Sequence, residues 1–292
     1  MSAVHVVVES ADRLGEVPLW SPSRKSLFWI DVRKPALHAY APGSGAVRTF
    51  PLPELIGSFC ETSKGRLMLA LKSGLHFLDL ETGGLQAWFD PEPALPNNRL
   101  NDGKCDRQGR FWVGSMNDGD RIPTGTLYSV LGNGTSTAHL SGITIPNSLA
   151  WSPDGKKMYF ADTPAKSIQV FDFDTEDGVP YNPRTFLDMS SHAGRPDGAT
   201  VDAEGCLWSA HIHAGQVVRY TPQGRLDRTI QLPVTGVTSC AFGGDRLETL
   251  FITTATQGLT EQALREQPLA GALFAVNAGV SGVCDTPFAE AC

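Results

Sequence analysis

Glu16, Asn147 and Asp197 occupy one equivalent place in a repeated sequence unit, and their side chains together offer two carboxylates and an amide oxygen. The repeat emerges when its tight turns are aligned. Trp20-Ser21-Pro22, Glu61-Thr62-Ser63, Cys105-Asp106-Arg107, Trp151-Ser152-Pro153, Val201-Asp202-Ala203 and Phe242-Gly243-Gly244 fall in register, and four residues upstream stand Glu16, Gly57, Asn101, Asn147, Asp197 and Thr238. Such a hard donor set suits calcium, magnesium or manganese, and also holds zinc or ferrous iron. Two carboxylates facing each other in a partly dry channel repel unless a cation joins them, so one divalent metal ion is the expected cofactor. An ion with few protein ligands keeps positions open for water and substrate, polarises a carbonyl and stabilises the oxyanion that follows. Asp197, with a second oxygen available for a proton, is the candidate general base.

Other residues extend this chemistry. Arg99 and Asn101 are placed to hydrogen bond the hydroxyls or carbonyl of a small polar ligand. His211 and His213 form an H-x-H pair expected to point the same way from an extended segment. Without a third His or Cys at suitable spacing, zinc ligation is the weaker reading of that pair, and His211 is taken as a substrate contact at the rim. No G-x-S-x-G elbow occurs, and no Gly-rich segment follows a strand to open a helix, so serine-hydrolase and nucleotide-binding chemistry lack support.

The elements that must position these groups are strands. Each turn is followed by an apolar run: Leu27–Ile30, Leu67–Ala70, Phe111–Gly114, Met158–Ala161, Leu207–Ala210 and Leu250–Thr253. A third strand follows in every unit, and often a more polar fourth, as in Ala46–Phe50, Leu85–Phe89 and Leu226–Ile230. Four antiparallel strands recurring at a period of roughly 40 to 50 residues predict an all-β fold, a six-bladed β-propeller. The last unit has three clear strands, so Val4–Glu9 is expected to supply its fourth. No linker-like stretch interrupts the chain, and residues 1–292 read as one domain. In this fold the innermost strand of each blade lines the central channel, so the equivalent residues share one mouth. The loops after the second strands surround that mouth, and Asn117–Thr124 is the lid candidate among them.

Bulk properties narrow the class. A net charge of −7 argues against a nucleic-acid partner or an anionic membrane surface, since both need a cationic face. No segment reaches the length of a membrane-spanning helix and the N-terminus lacks a signal-peptide pattern, so a cytoplasmic monomer or weak homo-oligomer is expected. Cys60, Cys105, Cys206, Cys240, Cys284 and Cys292 show no C-x-x-C or disulfide-framework spacing and read as reduced core thiols.

The motifs Leu14-Gly15-Glu16-x-Pro18-x-Trp20, Arg99-x-Asn101-Asp102-Gly103-Lys104, Pro146-Asn147-Ser148-Leu149-Ala150-Trp151-Ser152 and Arg195-Pro196-Asp197-Gly198 resemble the SMP-30/gluconolactonase/luciferin-regenerating-enzyme family. The resemblance implies a six-bladed propeller and a metal-dependent lactonase acting on a sugar lactone. It implies that Glu16, Asn147 and Asp197 are metal ligands, that Asp197 is also the base, and that Arg99 and Asn101 contact substrate. Where animal members carry an acidic residue on the loop after the third blade's second strand, this chain offers Asp118 or Asn117. Two alternatives share the same residues: hydrolysis of another lactone or a phosphotriester at the same metal, or a propeller that binds a metabolite without turning it over.

Overall fold

The computed structural model describes residues 3–291 and is a six-bladed β-propeller of four-stranded antiparallel sheets. A first strand, β1 (His5–Val8), precedes blade 1, which comprises β2 (Gly15–Ser21), β3 (Ser26–Asp31), β4 (Ala36–Ala41) and β5 (Ala46–Pro51). Blade 2 holds β6 (Ile56–Glu61), β7 (Leu67–Leu71), β8 (Gly74–Leu78) and β9 (Leu85–Phe89). Blade 3 holds β10 (Asn98–Cys105), β11 (Phe111–Asn117), β12 (Gly125–Val130) and β13 (Ser136–Ile143). Blade 4 holds β14 (Pro146–Trp151), β15 (Lys157–Asp162), β16 (Ser167–Asp174) and β17 (Val179–Asp188). Blade 5 holds β18 (Arg195–Val201), β19 (Leu207–Ile212), β20 (Gln216–Tyr220) and β21 (Leu226–Gln231). Blade 6 is ordered β1-β24-β23-β22, with β22 (Val237–Gly243), β23 (Thr249–Thr254) and β24 (Leu273–Asn277), so the N-terminal strand completes the last blade as expected.

The chain forms two compact units. One contains residues 1–53 and 189–284, hence blades 1, 5 and 6; the other contains residues 54–188 and 285–292, hence blades 2, 3 and 4. In the first unit β22 packs between β2 and β18, and in the second β10 packs between β6 and β14.

The recurring turn signature has a physical cause. Its middle residue caps the hairpin: Ser21 Oγ accepts from Arg24 N at 3.3 Å, Thr62 Oγ1 from Arg66 N at 3.1 Å and Ser152 Oγ from Lys157 N at 3.0 Å. Asp106 and Asp202 do the same and more, each taking two backbone N–H groups on Oδ1 and a tryptophan indole on Oδ2, Trp112 at 2.9 Å and Trp208 at 2.8 Å. A short polar side chain that mimics a turn's backbone hydrogen bond is favoured there for that reason. Asp106 also pairs with Arg110 at 2.6 Å and Asp202 with Arg219 at 2.8 Å. Asp106 thereby ties its turn to the second strand, and Asp202 ties its turn to the second and third strands.

Blade faces bury large aromatic groups. Trp112, Trp151 and Phe173 meet in the second unit, while Trp208 and Phe242 meet edge-on in the first. The C-terminal segment packs on the second unit: Phe288, fully buried, bridges to Thr62 and sits against Trp88, and Glu290 bridges to Gly132 and pairs with Arg66. Cys60, Cys105, Cys206 and Cys240 are buried thiols, as expected. Cys284 instead lies at the surface, because it falls in the irregular segment after β24 and not in a strand, and Cys292 lies outside the described residues.

Candidate active site

Every innermost strand is irregular at the same place. Pairing with the neighbouring strand shifts between Glu16 and Leu19, Ile56 and Ser58, Leu100 and Gly103, Asn147 and Ala150, Pro196 and Ala199, and Val237 and Ser239. Gly57, Asn101, Asp197 and Thr238 fall within these shifts, and Glu16 and Asn147 are the last paired residues before them. A bulge re-aims a side chain and frees it from the ladder, so the register seen in the sequence marks a repeated backbone device for presenting functional groups. After Glu16 and Asn147 the chain turns left-handed, with φ of 46° at Val17 and 60° at Ser148, conformations uncommon for such residues and costly unless held.

In the second unit the site residues form one network. Arg99, buried at 4% exposure, donates from Nη1 to Asn101 Oδ1 at 2.7 Å and to Leu100 O at 3.0 Å. Its Nε lies 3.0 Å from Asp118 Oδ1, and Arg121 Nη2 reaches the same oxygen at 3.9 Å. Asn101 Nδ2 donates to Pro146 O at 2.9 Å and, more loosely, to Asn147 Oδ1 at 3.4 Å. Asn147 Nδ2 donates to Thr163 Oγ1 at 2.8 Å, which fixes the amide with its oxygen on the side of Asn101. Thr163 carries no mark in the sequence, because its role depends on the cross-strand neighbour. Asp102 accepts from Leu149 N at 3.2 Å, and burial pushes its carboxyl above the usual range. Gly57 occupies its bulge for a steric reason: a Cβ there would lie 2.2 Å from Leu100 O.

In the first unit Glu16 is half-buried and Asp197 buried. Gly198 lets β18 approach β22, since a Cβ there would lie 2.1 Å from Ser239 Oγ. Thr238 is a strut, donating to Gly15 O at 2.5 Å and meeting Thr253 Oγ1 at 3.0 Å. His211 is fully buried between the rings of His192 and Tyr220, and burial, helped by His192, pushes its pKa down to about 4. Its Nδ1 lies 3.2 Å from Gln216 Nε2, so Nδ1 accepts and the ring proton is on Nε2, which has no hydrogen-bond partner among the described residues. His213 does not share its direction. Strand β19 ends at Ile212, and His213, with φ of 72°, is exposed in the turn that follows, so the H-x-H pair is not a two-pronged ligand.

Residues 118–124 carry Asp118 to Arg99 and are clipped by Thr124 Oγ1 to Asn98 Oδ1 at 3.0 Å. Yet the connection after β23, residues 255–272, is longer and contains α1 (Glu261–Glu266), capped by Thr260. Its composition hid it, because a single short exposed helix leaves little apolar periodicity to read.

Among the described residues no group of three or more His, Cys, Asp or Glu side chains gathers as a metal site. The chemistry of the bulge residues nevertheless suits a hard cation, through carboxylates at Glu16 and Asp197 and the oriented amide of Asn147.

Residues 14–256 match the family described as SMP-30/gluconolactonase/LRE-like region. The chain is 34% identical to a 6-deoxy-6-sulfogluconolactonase of Pseudomonas putida, with 97% of each chain covered. It is 32% identical to an L-arabinolactonase of Azospirillum brasilense, covering 97% of this chain and 95% of that protein. Among solved structures, a calcium-binding protein, regucalcin, from Agrobacterium tumefaciens superposes with a TM-score of 0.94 at 30% identity, covering 98% of this chain and 97% of that one.

Proposed function

The chain belongs to the SMP-30/gluconolactonase/LRE-like family of sugar lactonases, and from that premise we propose that it opens a sugar lactone to the aldonic acid at a divalent cation held by Glu16, Asn147 and Asp197. The observation that carries the reading is the common bulge at which these three oxygen donors stand, in a chain whose relatives are named as lactonases. When bound, the cation supplies Lewis-acid polarisation of the lactone carbonyl and charge stabilisation of the oxyanion. Calcium, zinc, manganese, magnesium and ferrous iron all accept this donor set.

The protein's own groups do the rest. Asp197 takes a proton from the attacking water as its oxygen bonds to the carbonyl carbon. The ring C–O bond then breaks, and the proton returns to the departing alkoxide to give the hydroxyl of the open acid. Arg99 and Asn101 orient the sugar hydroxyls, with Arg99 held rigid by Asp118. His211, fully buried with its Nε2 closed to solvent, stays neutral and adds no charge to the site.

The test is acid release from a panel of sugar lactones by wild type, Asp197→Ala and Glu16→Ala, with and without chelator, alongside metal content of the purified proteins. Both variants should lose bound metal and lactone opening while keeping their β-sheet spectrum. Unchanged turnover in Asp197→Ala would reject the mechanism.

A further inference from the structure

A cleft of about 380 Å³ lies in the second unit at the end of the blades where the bulge residues stand. Its walls come from the β5–β6 connection (Glu54), the turn after β7 (Lys72 and Ser73) and the β9–β10 connection (Asp90), closed by Asn98 and Arg99. Arg99 is the shared wall: it lines this cleft and also donates to Asn101. The volume falls within the range of small-ligand sites, about 300–1,000 Å³.

Its chemistry selects a neutral polyhydroxylated occupant. Glu92 is engaged on both oxygens, Oε1 accepting from Ser115 and Tyr128 and Oε2 from Asn98, so it is a fixed wall. Glu54 accepts from Ser73 on Oε1, and Asp90 accepts from Glu92 N on Oδ1, each leaving its second oxygen as an acceptor for a hydroxyl. Lys72, exposed, supplies donors, and Ser73, also exposed, offers its hydroxyl oxygen as an acceptor while its O–H is committed to Glu54. An anionic occupant is disfavoured, because Glu54, Asp90 and Glu92 face Lys72 while Arg99 is engaged by Asp118. Pro93, Leu95 and Pro96 add an apolar surface suited to the C–H face of a sugar ring. Leu95 is 41% exposed and is one of the few large apolar side chains left open to solvent.

We infer that this cleft is a second sugar subsite, so that the substrates of the proposed lactonase include lactones of disaccharide aldonic acids, the added sugar lying beyond Arg99. The inference rests on the lactonase reading and is tested apart from it. Steady-state kinetics on gluconolactone and maltobionolactone would be compared for wild type, Lys72→Ala and Ser73→Trp, the last chosen to fill the cleft from an exposed position. Wild type should show kcat/KM at least tenfold higher for maltobionolactone, Ser73→Trp should erase that advantage through KM, and gluconolactone opening should be unchanged. Two lactones opened equally well by wild type would overturn the subsite and leave the lactonase reading standing. If neither lactone is opened, calorimetric titration with maltobionate and gluconate decides. Tighter binding of maltobionate that is lost in Ser73→Trp upholds the subsite, and equal binding of the two acids overturns it.

Discussion

Arg99 and Asp118 form a half-hidden ion pair at 3.0 Å that fastens residues 118–124 to the innermost strand of blade 3. The guanidinium is 3% exposed and the carboxylate 19%, so the pair holds an arginine in place where water cannot. A planar fork committed to Asn101, Leu100 and Asp118 at once has little rotational freedom left to lose on binding.

Asp118→Ala should therefore raise KM and lower kcat/KM for the lactone by about one to two orders of magnitude, the penalty expected when a positioning group drifts by an ångström. Asp118→Asn, which can still accept from Arg99, should recover much of the loss. Steady-state kinetics of the two variants check this, and equal activity in all three proteins would remove Asp118 from the site.

The capping carboxylate of blade 3 carries stability. Asp106→Ala removes the acceptor for Trp112 and for two turn N–H groups and breaks the ion pair with Arg110, whose guanidinium keeps only the neutral acceptors Glu176 O, Thr175 O and Gln108 Oε1. Breaking one partner of a buried pair costs about 3–5 kcal/mol, to be read as a shift in urea midpoint at constant slope. A change under about 1 kcal/mol would mean that the pair behaves like an exposed one.

His211 makes stability depend on pH. Its folded pKa, about 4, lies below the ordinary histidine value of 6.5, so on acidification the unfolded chain binds the proton first. This contribution is complete above about pH 6.5 and is lost as pH falls toward 4, at up to about 1.4 kcal/mol per pH unit. His211→Gln should flatten the profile of unfolding free energy across that window. Parallel profiles for variant and wild type would assign the slope to other groups.

Much of this molecule is legible in its sequence. The third strands Gly74–Leu78, Gly125–Val130 and Gln216–Tyr220 stand where the apolar runs and turn residues put them, because strand, hairpin and blade period are local properties. The alignment of Glu16, Asn147 and Asp197 was legible for the same reason: a repeat numbers its own equivalent positions. Less local features escaped. The anchoring of Asn147 by Thr163, the turn that parts His213 from His211 and the exposure of Cys284 depend on φ values and cross-strand neighbours that no spacing encodes.

By itself, the order of residues determined the blades and which side chains share a position within them, since side-chain alternation and turn chemistry act over a few residues. Only the tertiary structure decided what those side chains meet. The bulge that re-aims each one, the backbone that forbids a side chain at Gly57 and the carboxylate that pins Arg99 all arise between segments distant in the chain, where close packing and not sequence proximity sets the contacts.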